Sequence, residues 1–217
     1  GPNQWPQDLP GFKSLVLDYA DALDGLAKRL LGPLASALGL PGDTFSDAFR
    51  ESQFSLRLSH YPPVERVAGQ YGIAPHTDVN FLTLLAQSEV PGLQIRHDAA
   101  STDSAADGES SATAEHWTDV PYIANSFVVN AGDTLHRWTN GRFKSTAHRA
   151  LPPLNKARYA VPFFLGPHLD TTIRCLPSCT DEAHPPKYSP TTYGDYLDWW
   201  YDANYNASDQ QDLAVAR

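Results

Sequence analysis

The sequence predicts a mainly β protein with flanking helices, its strands forming an antiparallel sandwich or barrel. Two observations carry this. The hydrophobic period changes from three or four residues to two at Gln53, and from there short apolar runs are separated by Gly, Pro and Asp turn signals. A third sets the scale: 217 residues, 41% hydrophobic and 11% aromatic, suffice to bury one substantial core.

Along the chain, Leu15, Ala22, Leu26, Leu30, Leu34 and Leu38 recur at helical spacing between Gly11 and Leu40. Gly32-Pro33 should kink or break this helix, because proline lacks an amide donor and clashes with the preceding turn, and Gly39 to Gly42 should end it. A short helix is expected from Thr44 to Glu51, capped by Asp43 or Thr44. Residues 1–52 thus read as a helical segment packing on the barrel. Because the chain contains no methionine, even at position 1, we expect an upstream portion to precede it.

The core is expected over residues 53–170. Phe54, Leu56 and Leu58 alternate with Ser55, Arg57 and Ser59 as in a half-buried strand, and further strands are expected at Phe81–Ala86, Leu93–Arg96, Phe127–Asn130 and Tyr159–Leu165. Residues 98–116, rich in Ala, Ser, Asp and Glu, cannot repay their ordering entropy and read as a flexible hairpin insertion. Residues 171–217 form a C-terminal extension in which Tyr193, Tyr196, Leu197, Trp200 and Tyr201 stand at near-helical spacing. That face either packs on the barrel, covers the substrate entrance or makes a dimer contact.

A formal charge of −9 argues against nucleic acid and anionic membranes as partners, since both are held largely by Lys and Arg. A small-molecule substrate is the expected partner, with the protein a monomer or homodimer. There is no apolar run of about 18 residues to span a bilayer and no basic-then-apolar leader in GPNQWPQDLP, so we expect a cytoplasmic protein. Cys175 and Cys179 suit neither a disulfide framework nor a four-ligand zinc site.

His76-Thr77-Asp78 carries the chemistry. In an extended segment residues i and i+2 point to one side, so His76 and Asp78 can reach one metal while Thr77 faces away. Two imidazoles and a carboxylate are what a mononuclear non-haem iron(II) site uses to hold one face of the ion, leaving the other open to oxygen and a co-substrate. Among eight histidines, one H-x-D triplet arises easily by chance. Taken singly, His148 reads more simply as a satisfied strand histidine and Arg158 as a surface ion-pair partner.

The surrounding blocks change that balance. YGIAPHTDVNFLTLL, GLQIR, FVVNAGDTLHRWTNGRFKSTAHRA and RYAVPFFLGP, in that order, resemble the iron(II)- and 2-oxoglutarate-dependent dioxygenases, in particular the subgroup that includes isopenicillin N synthase. The resemblance runs from about Gln53 to Pro167. It implies a double-stranded β-helix, or jelly roll, in which two sheets enclose the metal. It implies His76, Asp78 and His148 as iron(II) ligands, and Arg158 as the residue that grips the distal carboxylate of 2-oxoglutarate through its planar fork. Tyr61, in SHYPP, matches a tyrosine touching co-substrate or substrate. Arg57 is a candidate for an anionic substrate group if its strand lines the barrel mouth, and otherwise a solvated arginine. His136, in GDTLHRWTNGR, is a candidate to contact substrate or tune a proton; Trp138, Asn140 and Gly141 are expected to build a turn. The implied reaction consumes O2 and 2-oxoglutarate, releases succinate and CO2, and oxidises a C–H bond, by hydroxylation, desaturation or ring closure.

One departure falls on the co-substrate side. The family usually has Arg-x-Ser, and this chain has Arg158-Tyr159-Ala160, with Ser59 where the family often has asparagine. A lost hydrogen bond to a charged group is worth about 1.5–3 kcal/mol. An iron oxidase that does not use 2-oxoglutarate, and a non-catalytic jelly roll holding a ligand or zinc, therefore remain alternatives.

Overall fold

The computed structural model describes residues 2–65, 67–97 and 116–206. Helix α1 (Phe12–Ala37) leads. Strands β1 (Gln53–Leu56), β2 (Ser59–Tyr61), β3 (Ile73–His76), β4 (Leu82–Gln87), β5 (Leu93–His97), β6 (His116–Asp119) and β7 (Val128–Ala131) follow. Then come helix α2 (Asp133–Trp138), strands β8 (His148–Ala150), β9 (Arg158–Gly166), β10 (Thr172–Ile173) and β11 (Thr191–Thr192), and helix α3 (Tyr193–Tyr201). One sheet runs β1-β9-β4-β7, with β2 also on β9; the second runs β3-β8-β5-β6. All these pairings are antiparallel, and the two sheets form the jelly roll. Of the insertion expected at 98–116, residues 98–115 lie outside the described residues, and His116 instead begins β6, opposite His97 of β5.

Strand β9 shows how the fold divides apolar from polar work. Successive side chains alternate in direction, so Arg158, Ala160, Pro162 and Phe164 face a cavity between the sheets while Phe163 and Leu165 join the core under α1. Strand β4 does the same, with Leu82 and Leu84 in that core and Thr83 and Leu85 on the cavity. Helix α1 buries Ala20, Leu23, Ala27, Leu31 and Ala35, a stripe displaced from the leucine stripe expected. Leu15 is 69% exposed, and Leu26, Leu30 and Leu34 only flank the contact. Alanines on the contact stripe let the helix approach the sheet closely, and each buried leucine still contributes about 2 kcal/mol.

Pro33 does not break α1. Pro33 and Arg29 both lie on the exposed side, where water can serve the carbonyl that proline's missing amide leaves unbonded. The helix ends as expected: the Gly39 amide donates to the Ser36 carbonyl and that of Leu40 to Ala35, with Gly39 at φ +71°. The helix expected at Thr44–Glu51 is instead a series of tight turns with a 3₁₀ segment at Asp47–Phe49. The Thr44 hydroxyl donates to Pro41 O at 2.6 Å, a local bond that competes with α-helical pairing. Those turns deliver Phe45 and Phe49 edge-on to Phe81, with ring centroids 5.4 and 4.8 Å away. Trp138 joins them 5.3 Å from Phe45, so it is a core residue rather than a turn builder. Asn140 and Gly141, both at positive φ, do make the turn.

The strand expected from Phe54 to Ser59 is interrupted after Leu56: Leu56 packs against the core as expected and Phe54, though partly exposed, stacks on Phe163 at 5.2 Å, while Leu58 is exposed and Arg57 lines the cavity. The cavity between the sheets is separate from the core under α1, so Arg57 points into the cavity while Leu56 points to the core. Helix α3 buries Tyr193 and Tyr196. Tyr196 packs on Arg137 of α2, whose guanidinium carbon lies 4.8 Å from its ring, and none of the residues of α3 line the cavity. Burial raises the pKa of both tyrosines. Among the described residues, no helix is long and apolar enough to cross a membrane.

Candidate metal and co-substrate site

His76 and His148 end up together because they are cross-strand partners in the β3–β8 pair, their ring centroids 4.3 Å apart. Asp78 lies just beyond β3. Its Oδ1 is 3.7 Å from His76 Nε2 and 3.6 Å from His148 Nε2, and the three ligand atoms all lie within 4.8 Å of one another. Each imidazole is oriented by its other nitrogen: His76 Nδ1 is 2.9 Å from Ala74 O and His148 Nδ1 is 3.0 Å from Thr146 O. A carbonyl can only accept, so both rings carry their proton on Nδ1 and turn the Nε2 lone pair to the centre. Burial first, and then His148, press the His76 pKa below its ordinary value, which keeps that lone pair available at neutral pH. Neutral imidazoles with one buried carboxylate fit a divalent cation of the iron(II) kind.

The loop that carries Asp78 is clasped by the first turn of α2. The Asp133 amide donates to Asp78 O at 2.7 Å, the Thr134 hydroxyl to Val79 O at 2.7 Å, the Thr134 amide to Asn80 O at 3.3 Å and the Gly132 amide to Phe81 O at 3.0 Å. Thr77 faces away from the metal centre, as expected, and its hydroxyl donates to Asp133 Oδ2 at 3.0 Å. Burial raises the Asp133 pKa, which the Ser145 and Thr77 hydroxyls oppose. Gly132 permits this close approach: a Cβ there would lie 1.9 Å from Asn80 O. We therefore expect Gly132→Ala to destabilise the fold by about 3 kcal/mol, because the obstruction is backbone and cannot rotate aside. Urea unfolding of the two proteins measures it, and an unchanged midpoint would show that the clasp is not a tight contact.

Arg158 opens β9 opposite Tyr61 and is 1% exposed. Its Nη2 donates to Gln87 Oε1 at 3.1 Å, its Cζ lies 5.2 Å from the Tyr61 ring centre, and its Nε has no hydrogen-bond partner. Burial lowers its pKa against the opposing effect of Tyr61. No carboxylate among the described residues pairs with it, so a buried guanidinium faces the same cavity as the metal ligands with its charge uncompensated by a protein carboxylate. Ala160, two residues on, offers no hydroxyl there. The rest of the wall is largely apolar, from Ile73, Leu85, Leu93, Ile95, Val128 and Phe164. Such a lining with a few convergent polar groups is the usual form of a small-molecule site.

The structure thus brings together His76, Asp78, His148, Arg158, Tyr61 and Arg57. His136 stands elsewhere, correcting the expectation that it contacts this pocket. It lies on α2 in a second cleft, with Nδ1 2.9 Å from Phe143 O and Nε2 2.8 Å from the Tyr188 hydroxyl, so both ring nitrogens serve internal bonds. Sequence reasoning missed Thr83, Gln87 and Asn130. The available signal was polar residues on the inner phase of otherwise apolar strands.

A jelly roll enclosing two histidines, one carboxylate and a buried arginine with no carboxylate partner among the described residues is the arrangement of the mononuclear non-haem metal oxygenases. A profile of the 2OG-Fe(II) oxygenase superfamily matches residues 52–167. The chain belongs to this superfamily. It is 34% identical over 196 residues to a probable flavonol synthase 5 of Arabidopsis thaliana, covering 89% of this chain and 55% of the relative. It is 34% identical over 215 residues to the 2-oxoglutarate-Fe(II) type oxidoreductase hxnY of Emericella nidulans, covering 96% and 58%. The chain spans little more than half the length of these relatives. Among solved structures, a full-length Neurospora crassa protein in complex with alpha-KG and thymine superposes with a TM-score of 0.82 at 31% identity, over 94% of this chain and 61% of that one. JOX2 in complex with 2OG, Fe and JA gives 0.77 at 29%, over 90% and 54%.

Proposed function

We propose that this chain forms the active-site core of an iron(II)- and 2-oxoglutarate-dependent dioxygenase that oxidises a C–H bond of a small organic molecule, by hydroxylation as the default outcome. The observation that carries it is the pairing, in one cavity, of a ready three-ligand cluster with a buried arginine that has no carboxylate partner among the described residues. Iron(II), when bound, supplies the oxygen activation and the oxidising power. His76, Asp78 and His148 hold it on one face, Arg158 and Tyr61 receive the far carboxylate of 2-oxoglutarate, and Gln87 orients the guanidinium. The apolar walls hold the substrate body and exclude water. Measuring O2 uptake and succinate with and without 2-oxoglutarate tests this. Turnover that persists without 2-oxoglutarate would replace it with the iron oxidase reading, the one that Ala160 favours.

Arg57 extends the proposal to substrate class. It lines the cavity with its guanidinium carbon 5.6 Å from the centre of the Phe164 ring and has no ion pair among the described residues. A substrate with an apolar body and a carboxylate or similar acidic group matches that wall. We expect Arg57→Ala to raise the KM for an acidic substrate about tenfold or more, from the loss of a charged hydrogen bond, while the Kd for 2-oxoglutarate stays unchanged. Steady-state kinetics and calorimetry on the same preparation separate the two; equal KM values would exclude Arg57 from substrate recognition.

A further inference from the structure

Thr83 and Asn130 hold one oxygen of Asp78, while its other oxygen faces the two imidazoles. The Thr83 hydroxyl donates to Asp78 Oδ2 at 2.6 Å and the Asn130 amide nitrogen donates to the same oxygen at 2.9 Å. The other oxygen, Oδ1, is the one that faces both imidazoles. The two oxygens are therefore chemically unlike before any metal arrives: one accepts two hydrogen bonds and the other is turned to the cluster.

The polarity of this arrangement is set a further step back. Thr83 Oγ1 is 2.6 Å from the carboxylate and 3.4 Å from Asn80 Oδ1, so its single proton goes to Asp78. The Asn80 amide nitrogen lies 3.2 Å from Thr83 Oγ1 and fills an acceptor site on the hydroxyl, which strengthens it as a donor. The same nitrogen donates to Leu82 O at 2.7 Å. Asn80 and Thr83 are 4% and 3% exposed, so water does not compete for these bonds. Thr83 comes from β4 and Asn130 from β7, neighbouring strands in which these residues' partners are each other. The sheet register itself places both donors under one oxygen.

We propose that Thr83 and Asn130 are positioning residues that restrict Asp78 to ligation through Oδ1 alone. A carboxylate free to rotate can bind a cation through both oxygens and so take a second coordination position. With Oδ2 held by two donors, that position stays open for the co-substrate, and the Asp78 rotamer is set in advance of binding. This rests on the ligand set proposed above.

The test uses cobalt(II), whose visible absorption reports ligand number and geometry without turnover. Thr83→Val keeps the shape and removes the hydroxyl, Thr83→Ser restores the hydroxyl, and Asn130→Leu removes the second donor. We expect Thr83→Val and Asn130→Leu to weaken cobalt(II) binding about ten- to a hundredfold and to change the visible spectrum of the bound ion. Calorimetric binding of 2-oxoglutarate to the cobalt(II) form should weaken as well, and Thr83→Ser should behave as the parent. A Thr83→Val protein with the parent's melting temperature, cobalt(II) affinity and spectrum overturns the inference. So does a Thr83→Ser protein as impaired as Thr83→Val, because packing would then be the cause. If Thr83→Val does not fold, Asn130→Leu decides by the same readouts. A parent protein that binds no cobalt(II), or binds it equally well after His76→Ala, refutes the ligand set itself and is distinguishable from either result.

Discussion

Asp78→Ala should leave a protein that neither binds iron(II) nor consumes O2, an effect larger than the ten- to hundredfold typical of residues that only support a ligand. Three losses coincide. The cluster loses its one anionic ligand, the only carboxylate among the groups within 4.8 Å of each other there. The Thr83 hydroxyl and the Asn130 amide lose the acceptor that both now share. Leaving such buried donors unsatisfied costs about 1–3 kcal/mol each, so stability should fall too. His76 and His148, with rings 4.3 Å apart, then hold a cation by neutral ligands alone. Anaerobic iron(II) titration followed by O2 uptake measures the effect, and retained binding at parental affinity would move the metal site elsewhere. The acid side has a defined sign. A His76 pKa held below its ordinary value means that protonation of this imidazole competes with metal binding only at pH below that ordinary value, so the contribution of His76 to any acid-side loss of binding should appear there.

What the sequence disclosed and withheld follows from the range of each interaction. His76 and Asp78 were legible because the i, i+2 geometry of an extended chain is local. The long strands were legible because their apolar runs are continuous. The β3–β8 pairing that brings His148 to them is long-range, and only the resemblance of whole blocks supplied it. The leucine stripe of α1 misled because two helical stripes were available and the alanine one allows closer packing. Pro33 misled because whether proline breaks a helix depends on whether the carbonyl it orphans faces water. Leu58 misled because the strand stops after Leu56, so the alternation does not extend to it. Thr83, Asn130 and Gln87 were hidden for a related reason: inside an apolar run one polar residue reads as noise until the register shows that it meets another.

Arg158→Leu should weaken 2-oxoglutarate binding about 100- to 10,000-fold, from two charge-assisted hydrogen bonds of about 1.5–3 kcal/mol each at about 1.4 kcal/mol per decade. The guanidinium is 1% exposed and its Nε has no partner, so the distal carboxylate of a ligand would complete a group that the protein leaves incomplete. Arg158→Lys should recover only part of the affinity, since an ammonium carries the charge without the planar fork. The Ala160→Ser substitution probes the same end of the cavity from the opposite direction. Ala160 is 4% exposed and lies on the cavity face of β9 two residues from Arg158. A serine there adds one hydroxyl beside the guanidinium, and the expected result is 2-oxoglutarate bound about tenfold tighter or better. Both are read by calorimetry on the manganese(II) or cobalt(II) form, which separates binding from chemistry. If Arg158→Leu binds 2-oxoglutarate as the parent does, the co-substrate does not use this arginine. If Ala160→Ser changes nothing while Tyr61→Phe loosens binding, the tyrosine hydroxyl already occupies the role that a serine fills elsewhere in the family. Tyr61 can fill it because the β2–β9 register sets it directly opposite Arg158, on the same wall of the cavity.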